Sequence, residues 1–138
     1  MGVCQVQVYD IVAYSDMKRD LDLVRKILLA VESDPRYDGH HLLAPDISSE
    51  VGISERPIQE ISYHLELLIK EGYLEGNTGP LRPTISKLTW KGHEFLDDIR
   101  DDGIWAKAKQ RVSGLQSVAF SVLAEIAKAE IKKQLGLS

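Results

Sequence analysis

The sequence has a single cysteine and no long apolar run, and both shortages limit what the chain can be. Cys4 cannot form an internal disulfide or a cysteine-based zinc site, and it has no obvious activating neighbour. No segment approaches the roughly 20 apolar residues that span a bilayer, and the N-terminus lacks the basic and then apolar order of a secretory signal. We therefore expect a cytoplasmic protein that does not enter a membrane.

The chain also has fewer basic than acidic residues. The chain has 17 Lys and Arg against 21 Asp and Glu, which gives a net charge of -4. Because Lys and Arg supply most non-specific affinity for DNA by neutralising phosphates, this balance weakens the case for nucleic-acid binding, although a local basic face would be enough. With 138 residues and 43% hydrophobic content, the chain has room for one domain with a terminal extension.

The strongest pattern predicts an amphipathic helix between Ser54 and Gly72. Its apolar residues recur at spacings of three and four; they are Ile58, Ile61, Leu65 and Leu68. Ser54 is a suitable N-cap, Pro57 falls in the first turn, and Gly72 stands where helices end in a left-handed residue. Two strands follow, one from Tyr73 to Glu75 and one from Leu81 to Leu88, which is the layout of a recognition helix followed by a wing.

Helices are also predicted on both sides of this segment. Apolar periodicity predicts one from Asp20 to Ser33, which ends before Pro35. Thr89 caps another over WKGHEFLDDIR, with Trp90 closing one end of the core. A short strand is predicted around Leu42 and Leu43, and Ser48 to Val51 has room for one helical turn.

Clustered charges near these helices are interpreted as solvated surface. Four carboxylates lie close together without a catalytic His, Cys or Ser arrangement, so an exposed helix end is favoured over a catalytic or metal site. These are Asp97, Asp98, Asp101 and Asp102. The basic residues of the first helix are interpreted in the same way rather than as phosphate contacts. They are Lys18, Arg19, Arg25 and Lys26.

The chain divides into three parts. Residues 1–16 are an N-terminal extension in which Val6 and Val8 alternate with polar residues, as in a strand. Residues 17–103 form a winged-helix-like domain, and residues 104–138 form a C-terminal helical segment. The broad apolar face of that segment needs to be covered, either by the domain's own core or by a second chain, and we favour a homodimer through residues 104–135. The predicted fold class is mainly α with a small β-wing, a winged helix-turn-helix-like domain followed by a C-terminal amphipathic helix.

Three blocks of sequence carry a family resemblance: MKRDLDLVRKILLAVE, ISYHLELLIKEGYLEG and LTWKGHEFLDDIRDD. They resemble a family of small bacterial and prophage-encoded proteins, classified as a domain of unknown function, that looks like a winged helix. The resemblance covers most of residues 17–135 and leaves residues 1–16 outside it. It implies a fold, and it brings no catalytic or binding residues with it.

A winged helix of this kind is typical of DNA-binding transcriptional regulators, and we expect a regulator of bacterial or prophage origin that binds double-stranded DNA. Residues on the helix and the wing are candidates for contact with bases and phosphates. They are Arg56, Gln59, Tyr63, Lys70, Arg82 and Lys87. Against this, four glutamates on the same stretch repel phosphates. They are Glu55, Glu60, Glu66 and Glu71. The alternative is a protein-interaction adaptor that uses the same scaffold without DNA.

No enzymatic activity, cofactor or metal is expected. Extended chain would place His40 and His41 on opposite sides, which argues against joint metal ligation. His64 and His93 are the best candidates for a catalytic base. The apolar neighbours of His64 favour a hydrogen-bonded, half-buried structural residue instead.

Overall fold

The computed structural model describes residues 18–34, 42–43, 53, 55–79, 83–115 and 118–137. Within this part, five helices and a small antiparallel sheet confirm the predicted fold class. The elements are α1 Leu21–Ser33, β1 Leu42–Leu43, α2 Ile58–Lys70, β2 Leu74–Asn77, β3 Thr84–Leu88, α3 Trp90–Ile99, α4 Asp102–Arg111 and α5 Phe120–Gln134.

Several predicted features lie outside the described residues. They are the strand in residues 1–16, Cys4, the pair His40 and His41, the helical turn at Ser48 to Val51, the cap at Ser54, and Arg82.

Helix α1 forms where its periodicity predicted it. Asp20 occupies the N-cap and its carboxylate accepts a hydrogen bond from the backbone N–H of Leu23 at 3.1 Å. The helix ends at Asp34, before Pro35. Its buried side is one wall of the core, with Leu23, Ile27, Leu28 and Val31 fully enclosed.

Helix α2 begins later than the sequence predicted. Pro57 occupies the N-cap in an extended conformation, and the helix starts at Ile58, so the predicted start three residues earlier is wrong. An extended Pro57 cannot lie in the first turn, and the chain before it turns instead, with Arg56 N–H donating to the Ile53 carbonyl at 2.9 Å. The predicted end is confirmed: Gly72 has a φ of 85°, and Tyr73 N–H donates to the Leu68 carbonyl at 2.9 Å.

The sheet has the strand order β1-β3-β2, with both pairs antiparallel. Strands β2 and β3 form a hairpin that follows α2 directly, as predicted, with a register shift between Glu75 and Gly76. Leu74, Ile85 and Leu88 point into the core and hold the hairpin against α1 and α2. The short β1 pairs with β3 on the edge opposite to β2, so β3 is the central strand.

Helix α3 is capped as predicted. The Thr89 hydroxyl accepts from Gly92 N–H at 2.9 Å and donates to the Gly72 carbonyl at 2.5 Å, which joins α3 to the end of α2. Trp90, however, does not close the core, because it is 81% exposed. As the first residue of the helix it projects outward, while Leu96 and Ile99 fill the core side, as their spacing predicts.

The C-terminal tract forms two helices, α4 and α5, separated by a break that includes Ser113 and Gly114. The sequence also predicts an apolar stripe that continues beyond this break through Leu115, Ala119, Val122 and Ile126, and this prediction is partly wrong. Leu115 is 64% exposed and Val122 is 46% exposed. The core side of α5 is formed instead by Phe120, Leu123, Ala124 and Ala127.

Arg25 is not part of a solvated face, which corrects the sequence interpretation. Its guanidinium is buried and donates to the carbonyls of Ile99 at 2.7 Å and Arg100 at 2.6 Å and to the carboxylate of Asp102 at 2.6 Å. Helix α3 ends with these carbonyls lacking intrahelical partners, and the planar fork of Arg25 satisfies them. Asp101, in turn, caps α4 by accepting from Ile104 N–H at 2.9 Å, so part of the acidic cluster has a structural role.

Candidate nucleic-acid interface

Helix α2 presents one polar side to solvent. Gln59, Tyr63, Glu66 and Lys70 recur at spacings of four and three, so they share one side of the helix. Gln59 and Lys70 are exposed, while Tyr63 and Glu66 are half-buried. We call these four residues the outer ridge. The opposite side of α2 is buried in the core through Ile61, His64, Leu65 and Leu68.

His64 fixes the position of α2 against α1. Its ring is fully buried, and its Nε2 accepts a hydrogen bond from Asp20 N–H at 2.8 Å. Because that backbone group can only donate, the proton of the ring lies on Nδ1, which donates to the Glu60 carbonyl at 2.8 Å. Both nitrogens are therefore occupied. The half-buried Tyr63 ring packs edge-on against this anchored histidine, with ring centroids 5.7 Å apart.

Arg56 faces the protein's own carboxylates. Its guanidinium donates to Asp20 at 2.5 Å and to Glu60 in the first turn of α2. Burial opposes ionisation of Asp20, but hydrogen bonds from Arg56 and from Leu23 N–H outweigh it and hold the pKa of Asp20 below its ordinary value. Arg56 thus joins α2 to the start of α1, and it does not belong to the outer ridge.

The same ion pairs change the charge of the α2 surface. Glu60 is one of the four glutamates that oppose phosphate binding, and its carboxylate is engaged with Arg56. On the outer ridge itself the only charged residues are Glu66 and Lys70. The ridge is therefore electrically balanced, although the α2 segment as a whole is acidic.

The hairpin contributes one described candidate, Lys87 on β3. Its side chain is 58% exposed, and its Nζ lies 4.0 Å from a carboxylate oxygen of Glu75 on the neighbouring strand. At that separation and exposure the pair is weak, so the ammonium group is available for another anion. Of the six candidates, three lie together on the outer ridge, Lys87 lies on the hairpin, Arg56 is turned inward, and Arg82 is outside the described residues.

Sequence reasoning missed the surface at the base of the hairpin. Lys91 donates to the Glu71 carbonyl at 2.9 Å and lies over the Tyr73 ring, with Nζ 4.5 Å from its centroid. Trp90 stands beside it, exposed. The predicted cap at Thr89 could have indicated this surface. It makes Trp90 the first helical residue, a position that a core side chain rarely occupies.

The described residues lack both a metal-binding cluster and a membrane-spanning helix. No three His, Cys, Asp or Glu side chains there are grouped in a way that could hold a metal ion. None of the helices placed by the structure has the length and apolar content required to cross a bilayer.

The fold and the surface of α2 define a small, mainly helical protein with a three-stranded antiparallel sheet and a polar helix beside a hairpin. The chain belongs to the family described as "Hypothetical protein (DUF2513)", which matches residues 18–119. It is similar to an "Uncharacterized protein" of Haemophilus influenzae, with 32% identity over 124 residues that cover 86% of this chain and 99% of the relative. No solved structure matches the chain. The family match confirms the predicted resemblance to a family of unknown function, while the winged-helix part of that resemblance stays a prediction. The match begins at residue 18, after the residues 1–16 that we predict to be an extension.

Proposed function

We propose that this protein is a winged-helix DNA-binding protein, a transcriptional regulator of bacterial or prophage origin. The observation that carries the proposal is the pairing order β1-β3-β2, in which a two-stranded hairpin directly follows a helix with a polar, open outer side. A helix of this kind fits the major groove of duplex DNA, and an adjacent hairpin reaches the backbone or the minor groove. The relative in Haemophilus influenzae supports a bacterial origin.

Each candidate residue has a separate role in this proposal. Gln59, near the start of α2, pairs with adenine through its amide, and Tyr63 contacts the adjoining base edge or phosphate. Lys70 and Lys87 neutralise phosphates, and so does Arg82. Arg56 is assigned a positioning role only, because Asp20 and Glu60 hold its guanidinium.

The net charge of -4 sets a limit on the affinity. Few phosphates are neutralised by this surface, so the sequence-independent part of the binding is weak and has only a shallow dependence on salt. Direct contacts to base edges then supply a large share of the affinity for a preferred site. We therefore expect a regulator with modest affinity for random duplex DNA and a marked preference for its own site.

The proposal is tested by comparing variants on a duplex selected from a random pool. Lys70→Ala should weaken binding to all sequences. It should also reduce by about one the slope of the logarithm of the binding constant against the logarithm of salt concentration, because one phosphate contact is lost. Gln59→Ala should weaken binding mainly on the selected site, at one base pair, by about 1 to 3 kcal/mol. Lys107→Ala is the matched control, because Lys107 is exposed on α4, a helix that packs mainly against α5. If Lys70→Ala and Gln59→Ala bind like the control, the outer ridge is not the docking surface.

A second function is favoured by Trp90. An 81% exposed tryptophan is unusual on a small domain, and tryptophan is enriched among the residues that contribute most to protein interfaces. In this alternative the chain is an adaptor that binds a partner protein and does not bind DNA. An adaptor would pass through a duplex DNA column at low salt, whereas a DNA-binding protein would be retained there and released by salt.

We propose a binding role rather than a catalytic one. His64, the best placed candidate base, has both ring nitrogens engaged with backbone groups and no exposed surface. His93 is partly exposed, and its Nδ1 lies 3.8 Å from a carboxylate oxygen of Glu32. The two histidines have separate partners, which does not favour a shared catalytic arrangement.

A further inference from the structure

The outward side of α5 has a line of small and apolar residues that the described chain leaves uncovered. Val122 and Ala129 are seven residues apart on α5, close to two helical turns, and so lie nearly in line. Gly136 lies just past the end of the helix and lines the same groove as Ala129, which continues the line. Val122 is 46% exposed, and Ala129 and Gly136 are exposed too. The core lies against the opposite side of this helix.

Two shallow grooves join along this line. One of about 330 Å³ reaches Val122 and Arg111, and one of about 540 Å³ reaches Gly136 and Leu137. Both are lined by Glu125 and Ala129, so they meet at the middle of the helix. Small residues along the centre allow another helix to approach closely.

Charged and apolar residues flank the line in two rows, again at seven-residue spacing. Glu125 and Lys132 form one row, and Ile126 and Lys133 form the other. We call the central line and its two rows the α5 seam. Glu125 is 73% exposed, and Lys132 and Lys133 are exposed as well.

We propose that the α5 seam binds the α5 seam of a second copy of this chain, antiparallel, with the two-fold axis beside Ala129. In an antiparallel pair related by two-fold symmetry, each row meets the same row of the other copy in the reverse direction. Glu125 then lies beside Lys132 of the second copy, and this ion pair occurs twice. Ile126 packs on the methylene stem of Lys133 of the second copy.

The ends of the seam also match in this arrangement. Val122 at the start of one helix meets Gly136 and Leu137 just past the end of the other. Leu137 is 58% exposed in the single chain, so pairing covers apolar surface at both ends of the interface.

The charges exclude the parallel alternative. A parallel two-fold pair would bring opposite rows together, which places Lys132 of one copy beside Lys133 of the other, twice. Like charges in contact destabilise a helix pair. The sequence of α5 therefore favours the antiparallel pair, in which opposite charges attract, over the parallel pair, in which like charges repel. The proposal does not rest on DNA binding, since α2 and the hairpin take no part in it.

Charge reversal in the full-length chain tests the pairing, with sedimentation equilibrium as the measurement. The unmodified protein should form a dimer. Glu125→Lys and Lys132→Glu should each weaken association by about tenfold or more, because two attractive pairs become repulsive. The double variant Glu125→Lys with Lys132→Glu restores both pairs and should return the dissociation constant to within about threefold of the original value.

The controls are Glu94→Lys on α3 and Lys107→Glu on α4, two exposed positions outside the seam that carry the same charge changes. Circular dichroism checks that every variant is folded. A monomer at about 0.1 mM unmodified protein would overturn the proposal. So would a dimer that the single reversals leave unchanged, or a double variant as weak as the singles.

Discussion

At the scale of single residues, His64 decides how α2 sits on α1. The imidazole is the acceptor for Asp20 N–H, which lies just outside the first turn of α1, and the donor to the Glu60 carbonyl. The contact with Asp20 joins residues 44 positions apart in the chain. The outer ridge of α2 therefore faces solvent because its inner side is held by a specific polar contact as well as by apolar packing.

Replacing His64 by Phe should lower the free energy of unfolding by about 1 to 3 kcal/mol, because Asp20 N–H loses its acceptor in a partly buried place. His64→Gln supplies an amide oxygen as acceptor and should recover part of that loss. Chemical denaturation followed by circular dichroism measures both values. A Phe variant as stable as the original protein would show that the hydrogen bond contributes nothing.

Arg25 marks the limit of what residue patterns can predict. Its position within a charged stretch of the sequence favoured solvent exposure, but its guanidinium satisfies carbonyls at the end of α3, and its bond to Ile99 joins residues 74 positions apart. Periodicity within one helix describes that helix only. Contacts between distant helix ends leave no mark in a local pattern, and the contact of Arg56 with Asp20, 36 positions away, was missed for the same reason.

At the scale of elements, the close packing of α3 on the hairpin explains why the block LTWKGHEFL contains a glycine, Gly92. A Cβ atom at this position would lie 2.1 Å from the carbonyl oxygen of Tyr73, which is too close for any side chain. The first turn of α3 therefore packs directly on the backbone at the start of the hairpin, and Thr89 is bonded to the end of α2 in the same place. Only glycine permits this approach.

Gly92→Ala should destabilise the protein by about 1 to 3 kcal/mol, since the backbone of Tyr73 has to move. Gly79→Ala is the control, because a Cβ there meets nothing within 4 Å. Thermal unfolding of the two variants compares them. Equal melting temperatures would mean that α3 and the hairpin shift apart without cost.

Helices with a clear apolar repeat and a polar cap could be predicted closely from sequence, as α1 and α3 were. The start of α2 could not, because Ser54 and Pro57 both suit a helix start, and only the extended conformation of Pro57 decides between them. Trp90 was assigned to the core by its size, but its place at the first helical position directs it outward. The apolar ring of Trp90 favours the core, but its position in the helix favours solvent, and the structure places it in solvent.

At the scale of the whole molecule, three carboxylates of α1 and its cap join this helix to other elements. Asp20 accepts from Arg56, Asp22 from Lys109 and Trp105, and Glu32 from Arg100. Burial opposes ionisation of Asp22, but its hydrogen bonds outweigh that effect and lower its pKa. For Glu32 the largest effect is the hydrogen bonding from Arg100, which lowers the pKa of this carboxyl. All three groups thus have pKa values below those of the unfolded chain.

Lowered pKa values stabilise the fold above the ordinary range of these groups, and the contribution is lost as the pH falls through their folded values. Burial raises the pKa of Asp98, which acts in the opposite direction and offsets part of this loss. We expect the free energy of unfolding to fall by about 1 to 2 kcal/mol between pH 6 and pH 3, after allowance for Asp98 and for solvent screening. Urea denaturation at each pH measures it. Asp22→Asn should flatten this dependence, and a profile already flat in the original protein would contradict the assignment.

The candidate site was only partly predictable from sequence for an electrostatic reason. Counting charges along α2 gave four glutamates against Arg56 and Lys70. The structure pairs Arg56 with Glu60 and Asp20, which removes one base and one acid from the outer surface. Helical spacing already placed Gln59, Tyr63 and Lys70 on one side. The pairing of the other charges required the fold.

DNA binding through α2 and the hairpin is the central claim, and the affinity of the unmodified protein for duplex DNA as a function of salt tests it most directly. With Lys70, Lys87 and Arg82 each neutralising one phosphate, the logarithm of the binding constant should fall linearly with the logarithm of salt concentration, with a slope of about -2 to -3. Absence of binding at low salt, or binding that salt does not weaken, would contradict the claim.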